Sequence, residues 1–159
     1  MKILITGFYG AGNTGDEAIL SAIISSITEM YPDTSFTILS HNPIETEKMH
    51  CYKAISQMSI GLHLLKSDFS GIWNSIKSAD LVILGGGGIM EDVHSYFAIP
   101  KYILVALLAK TLNKPVMSYS AGIGPVRNRL SKLLIYLFWN EFDTITVRDV
   151  ESKELLLKL

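Results

Sequence analysis

Three short apolar segments of this sequence each lead into a glycine-rich loop. Residues 2–6 precede G-F-Y-G-A-G-N-T-G, residues 80–84 precede four consecutive glycines, and residues 115–119 closely precede A-G-I-G-P. An apolar run that stops at glycine is typical of a buried parallel strand, and glycine lets the following backbone turn or approach a ligand. This repeated feature favours a parallel α/β fold.

The segments between these strands show helical spacing. Apolar residues in segment 16–31 recur three and four positions apart, at Ile19, Leu20, Ile23, Ile24, Ile27 and Met30. The patterns predict strands at 2–6, 35–39, 53–58, 80–84, 115–119 and 144–147, and helices at 16–31, 43–50, 62–78, 96–112, 128–140 and 150–159. Pro100 predicts a kink in the fourth helix. We therefore predict a single α/β domain over residues 1–159, a Rossmann-like doubly wound parallel sheet with strand order 3-2-1-4-5-6.

Composition restricts the class of protein. The 159 residues are 48% apolar and 18% charged, which does not fit a disordered chain. The net charge of −1 argues against a broad nucleic-acid surface. The single cysteine, Cys51, fits a reducing compartment. The N-terminus does not resemble a signal peptide, and the apolar stretches are too short to span a bilayer, so we expect a cytoplasmic protein.

The three glycine loops are predicted to share one edge of the sheet. Strands one and four flank the point where the strand order reverses, and ligands bind at the carboxyl ends of strands at such a point. The alternative is that the glycines only form tight turns. The candidate ligand-binding glycines are Gly12, Gly15, Gly86, Gly87, Gly88, Gly122 and Gly124.

The first loop contains G-x-G-x-x-G but does not fit a nucleotide fingerprint. The second strand ends without the acidic residue that would hold a ribose, and the following helix begins with Asp16 and Glu17, which would repel a pyrophosphate. Asp16 also stands where a phosphate-binding P-loop needs lysine. Asp16 is therefore either a helix N-cap or, together with Glu17, an acceptor of hydrogen bonds from sugar hydroxyls.

The histidines and one apolar helix carry weaker signals. His41, His50, His63 and His94 lack close metal-ligand spacing, so we expect no metal site, and only His94 lies near the predicted crevice. The helix at 128–140 follows Arg127 and is strongly apolar. We expect it to be buried on most sides, with contact to a membrane surface or to a second domain as alternatives.

Four segments together resemble the polysaccharide pyruvyl transferase family. They are G-F-Y-G-A-G-N-T-G-D-E-A-I-L at residues 7–20, V-I-L-G-G-G-G-I-M-E-D at 82–92, K-P-V-M at 114–117 followed by G-I-G-P at 122–125, and T-V-R-D-V-E-S at 146–152. They occur in the family's order over nearly the whole chain. Ala121 departs from the pattern, because many relatives have Gln at this position.

The resemblance implies transfer of a pyruvyl group from phosphoenolpyruvate, the donor substrate, to a sugar of a cell-surface polysaccharide or secondary cell-wall polymer, which forms a pyruvate ketal. It implies no further cofactor and a lipid-linked or polymeric saccharide acceptor, met at the inner face of the membrane through peripheral contact. It also implies a glycosyltransferase-B-like architecture of two domains. The chain matches only the N-terminal domain, so we expect a truncated protein that lacks the C-terminal domain.

Within this resemblance, two residues are candidate catalytic groups. Arg148 is a candidate clamp for the donor's carboxylate or phosphate, or a partner of Asp149 or Glu151. Asp92 is a candidate base or sugar ligand, or a helix cap. Asn13 bonds either the loop backbone or a ligand. A glycosyltransferase-like enzyme that uses a nucleotide sugar, and a non-catalytic saccharide-binding module, remain the alternative functions.

Overall fold

The computed structural model describes residues 1–58, 68–93 and 95–158. Within these residues the strands are β1 (Lys2–Thr6), β2 (Ser35–Ser40), β3 (Lys53–Ser56), β4 (Leu81–Gly85), β5 (Val116–Ala121) and β6 (Thr144–Val147). The α-helices are α1 (Thr14–Met30), α2 (Pro43–His50), α3 (Phe69–Ser78), α4 (Ala98–Thr111), α5 (Arg129–Phe138) and α6 (Val150–Lys158), and a 3-10 turn covers Trp139–Glu141.

The strands form one parallel sheet in the order β3-β2-β1-β4-β5-β6, which confirms the predicted α/β fold and strand order. Thr6 of β1 pairs with Leu39 of β2 on one side and with Leu84 of β4 on the other. The carboxyl ends of these central strands are therefore level. The loops that follow β1, β2 and β4 consequently meet at one edge of the sheet.

Apolar side chains cover both faces of the sheet. These side chains form two apolar cores, a larger one on one face of the sheet and a smaller one on the other. Along β1, Leu4 packs into the larger core, while Ile3 and Ile5 pack into the smaller core. The larger core receives side chains from α3, α4 and α5, and the smaller core receives them mainly from α1. Burial on both faces fixes the register of the central strands, and this holds the edge loops in place.

Most helices begin or end within two residues of the prediction, and the third and fourth differ in ways that need an explanation. The fourth helix begins at Ala98, so Pro100 lies in its first turn and not at a kink in its middle. Proline fits there because the first N–H groups of a helix have no partner within the helix. The third helix begins at Phe69, and the predicted part before residue 68 lies outside the described residues.

The expectation that the helix at 128–140 is buried on most sides is wrong. One side of α5 packs inward through Ser131 and Ile135. The other side leaves large apolar side chains exposed, namely Leu130, Leu133, Tyr136 and Leu137. Among the helices of the described residues, none is long and apolar enough to cross a membrane.

Candidate functional site

A cavity of about 790 Å³ opens at the carboxyl edge of the sheet. Its walls come from the loop after β1, the start of α1, the ends of β2 and β3, the loop after β4 and the start of α4. The lining residues are Phe8, Asn13, Asp16, His41, Met58, Gly88, Ile89, Glu91, Ser95, Phe97, Ala98, Lys101 and Tyr102. This volume lies in the range of small-molecule sites, and the cavity opens at the predicted edge of the sheet. Of the seven candidate glycines, however, Gly88 alone lines it.

The start of α1 supplies two polar groups to this cavity. Asn13 is the N-cap, because its Oδ1 accepts a hydrogen bond from the Gly15 N–H at 3.0 Å. The alternative that Asp16 caps the helix is therefore wrong. Asp16 is only 7% exposed. Its burial, followed by the charges of Glu17 and Glu91, raises the pKa of its carboxyl.

The glycines after β4 allow the backbone to lie directly against Asp16. Gly87 has a φ of +71°, and a Cβ at this position would collide with Oδ1 of Asp16. The carbonyl of Gly87 accepts a hydrogen bond from the Gly122 N–H at 2.8 Å. The second and third predicted loops are thus joined by this bond. Gly88 lines the cavity, whereas Gly86 packs against Ile19.

Glu17 faces away from the large cavity and supports the loop after β1. Its Oε1 accepts a hydrogen bond from the Gly10 N–H at 2.7 Å, and its Oε2 lies 2.8 Å from Nε2 of His50. Glu17 and Gly12 line a separate cavity of about 190 Å³. The structure therefore separates the two neighbouring carboxylates that the sequence placed together.

Arg148 follows β6 and lies beside the joined glycine loops. A Cβ on Gly122 would meet Cζ of Arg148 at 3.2 Å and the carbonyl oxygen of Gly87 at 3.0 Å. The Arg148 Nε also donates to Oδ2 of Asp149 at 2.9 Å, so the alternative ion pair is formed. The side chain remains 58% exposed. Arg148, Gly122, Gly87 and Asp16 therefore form a continuous row along the edge of the sheet, which we call the glycine row.

Asp92 and Gly124 do not line the cavity and instead make contacts within the fold. Asp92 is 6% exposed, and its two carboxylate oxygens accept hydrogen bonds from the N–H groups of Arg127 at 2.8 Å and Asn128 at 2.7 Å. Burial alone would raise its pKa, but these bonds outweigh burial and lower it. This geometry favours an anchoring role over that of a catalytic base. Gly124, with a φ of +83°, packs against Leu155 of α6 and not at the cavity.

The sequence reasoning missed several residues of the cavity, mainly on α4. Lys101 and Tyr102 line it from the second turn of this helix, with the Lys101 Nζ 4.6 Å from the centre of the Tyr102 ring. Burial lowers the pKa of Lys101 to about 8. His41 also lines the cavity, although only His94 was expected nearby, and His94 lies outside the described residues. Burial, followed by the charge of Lys101, lowers the pKa of His41.

Metal binding has no candidate cluster in the part of the chain that the structure describes. Within residues 1–58, 68–93 and 95–158, no three His, Cys, Asp or Glu side chains are grouped as metal ligands would be.

Comparison with known proteins identifies the family. The family model for polysaccharide pyruvyl transferase matches residues 13–159, a segment that includes the whole glycine row. The chain belongs to the polysaccharide pyruvyl transferase family. The chain is similar to the amylovoran biosynthesis protein AmsJ of Erwinia amylovora. The two are 25% identical over 190 aligned positions, which cover 99% of this chain and 45% of AmsJ.

A solved structure supports the fold. A Listeria monocytogenes protein assigned as a UDP-N-acetylglucosamine 2-epimerase superposes with a TM-score of 0.63 at 13% identity. The match covers 99% of this pyruvyl transferase family member and 42% of the Listeria chain. At this identity the likeness shows the fold alone. The chain spans less than half the length of AmsJ and of the Listeria protein.

Proposed function

We propose that this chain forms the N-terminal part of an enzyme that transfers the pyruvyl group of phosphoenolpyruvate to a sugar of a cell-surface polysaccharide. The observation that carries the proposal is the overlap of the family match with the glycine row and the adjoining cavity. The acceptor is a lipid-linked or polymeric saccharide, met at the inner face of the membrane.

The chemistry requires two sugar hydroxyls and one phosphoenolpyruvate. The first sugar oxygen loses its proton to a base and bonds to C2 of the donor, while C3 takes a proton from a general acid and becomes a methyl group. The second sugar oxygen then bonds to C2 as the C2–O bond to phosphate breaks, and its proton leaves with phosphate. The products are a cyclic ketal and inorganic phosphate.

Two residues of the glycine row suit this reaction. Arg148 presents a largely exposed guanidinium, which is the group that best binds a carboxylate or phosphate. Asp16 is the buried carboxylate of the row, and its raised pKa suits a group that takes a proton from a hydroxyl. Asp92 was predicted for this task, but backbone N–H groups already occupy its oxygens.

The test is acceptor-dependent phosphate release by the full gene product. Phosphoenolpyruvate is supplied with a lipid-linked saccharide, and the ketal is identified by mass spectrometry and NMR. We expect Arg148→Ala to lower kcat/KM for phosphoenolpyruvate by about a hundredfold or more. Arg129→Ala is the matched control, because Arg129 is exposed at the start of α5 and does not line the cavity.

Each alternative function gives a different result in this assay. Release of a nucleotide from a nucleotide sugar, without ketal formation, would establish a glycosyltransferase-like enzyme. Binding of saccharide without turnover of either donor would establish a non-catalytic module. Either result would contradict the pyruvyl transfer.

A further inference from the structure

We propose that the 790 Å³ cavity is the subsite for the acceptor, where an uncharged hexopyranose ring is held by Asp16, Lys101 and the Tyr102 hydroxyl. Phosphoenolpyruvate binds outside this cavity, on the Arg148 side of the glycine row. This inference rests on the proposed function and assigns its two substrates to separate places.

The charges around the cavity favour a neutral ligand. Asp16 and Glu91 contribute two carboxylates, whereas Lys101 contributes one cation. His41 is neutral at pH 7, because its pKa is lowered. Phosphoenolpyruvate carries a carboxylate and a phosphate, which need several cations and would be repelled by this net negative wall. Sugar hydroxyls, in contrast, donate to carboxylates and accept from the lysine ammonium group.

Tyr102 supplies an independent indication of a ligand. This residue is 2% exposed and lines the cavity, and its Oη has no hydrogen-bond partner among the described residues. A buried hydroxyl without a partner destabilises the fold unless a bound group satisfies it. Lys101 is similar, since no carboxylate of a described residue forms an ion pair with it. The Tyr102 Oη itself has less than 1 Å² of accessible surface, so we expect a small outward movement of the Tyr102 side chain to bring it to a polyhydroxylated ring, which would then supply partners to both groups.

The remaining wall suits the apolar face of a sugar ring. Phe8 and Phe97 both line the cavity and both have exposed rings. Phe8 is held by an edge-to-face contact with His41, with ring centroids 5.2 Å apart. A cavity with aromatic walls and a few convergent polar groups is the usual form of a small-molecule site.

The two substrate places would adjoin each other at the glycine row. Asp16 lies against Gly87 on the cavity side, and Arg148 lies against Gly122. The hydrogen bond between these glycines joins the two positions directly. A sugar hydroxyl bound to Asp16 and a donor bound to Arg148 would therefore be separated only by these two bonded glycines.

Direct binding measurements on the full gene product test this assignment without requiring turnover. The probes are the methyl glycosides of glucose, galactose, mannose and N-acetylglucosamine, observed by saturation-transfer NMR, and phosphoenolpyruvate, observed by calorimetry. We expect at least one glycoside to bind. Tyr102→Phe and Asp16→Asn should each weaken that binding about tenfold and leave the Kd of phosphoenolpyruvate within about twofold, because each removes one hydrogen bond to the sugar alone.

Three controls make the result specific. Arg148→Ala should give the opposite pattern, with loss of phosphoenolpyruvate binding and retention of the glycoside. Glu29→Gln and Lys77→Met remove exposed charges of the same kinds, from α1 and α3, and should change neither affinity. Tyr102→Phe should melt at or above the wild-type temperature, because the lost hydroxyl had no partner in the free protein. A lower binding signal in this variant would then not reflect unfolding.

The outcomes separate this inference from the proposed function. Loss of phosphoenolpyruvate affinity in Tyr102→Phe and Lys101→Met, with glycoside binding unchanged or absent, would place the donor in the cavity and overturn the inference. Competition between glycoside and phosphoenolpyruvate would also overturn it. Glycoside binding with the expected variant pattern but without phosphate release would retain the sugar site and contradict the transferase.

Discussion

Replacement of Asp92 by alanine tests whether this carboxylate anchors the fold or takes part in catalysis. Its two oxygens accept hydrogen bonds from the N–H groups of Arg127 and Asn128, at 2.8 and 2.7 Å. A hydrogen bond to a charged group contributes about 1.5–3 kcal/mol. Arg127 is exposed and Asn128 is half-buried, so water can partly replace the carboxylate as the partner of their N–H groups. We therefore expect Asp92→Ala to lower the free energy of unfolding by about 3 kcal/mol. For a domain of this size that corresponds to a decrease in Tm of about 6–12 °C.

The pH dependence of this loss has a definite sign. The pKa of Asp92 is lower in the folded chain than in the unfolded one, so the folded state favours the ionised form. The stabilisation is complete above the ordinary pKa of about 3.9 and disappears as the pH falls through the folded-state value. The difference in Tm between wild type and Asp92→Ala should therefore be full at pH 7 and should shrink below about pH 4.

Thermal and urea unfolding, followed by circular dichroism, measure the difference in stability between wild type and Asp92→Ala. Phosphate release, assayed well below the Tm, measures activity separately. Asp33→Ala is the control, because Asp33 is exposed and its carboxylate has no hydrogen bond within the described residues. An anchoring role requires Asp92→Asn to remain active at low temperature while it melts earlier than wild type. Wild-type stability of Asp92→Ala together with complete loss of turnover would refute the reasoning and restore Asp92 as a catalytic residue.

Three further substitutions have definite expected results. Gly12→Ala should lower the free energy of unfolding by about 1–2 kcal/mol, because alanine is strained at a positive φ. Gly87→Ala should lower it further, because its Cβ also collides with Asp16, and urea unfolding measures both losses. Asp16→Asn should raise the free energy of unfolding at pH 7, because the raised pKa of Asp16 means that the fold disfavours its ionised form. This gain in stability should vanish below about pH 4, and melting curves recorded over a range of pH measure it. Tyr9→Phe should cost about 1–3 kcal/mol in urea unfolding, since the buried hydroxyl donates to the Gly85 carbonyl at 2.6 Å.

The topology could be predicted from the sequence because strand and helix patterns alternate clearly and three strands end in glycine. The same glycines located the edge of the sheet where the cavity lies. The role of Asp92 depends on atoms 35 and 36 residues away in the chain, and spacing within a motif does not report such contacts. Lys101 and Tyr102 were missed because they lie in an apolar helix, where the residue pattern does not distinguish a core position from a cavity wall.

The exposed side of α5 could not be predicted for a related reason. Its apolar residues form one broad side of the helix, and periodicity does not show how much of that side the rest of the chain covers. Only the packed structure shows that Ile135 faces the core and Leu133 does not.

The glycine row determines how such a site could be redirected to a new sugar. A side chain at Gly87 would displace the Asp16 carboxylate, and Gly122 has only narrow space between Arg148 and the Gly87 carbonyl. The exposed side chains of the cavity wall, such as Phe8 and Phe97, are under no such restriction. Under the proposed assignment of the cavity to the acceptor, a mutant library aimed at acceptor choice should therefore randomise the wall and keep the row intact, because the wall sets the shape of the opening while the row would keep the two substrates adjacent.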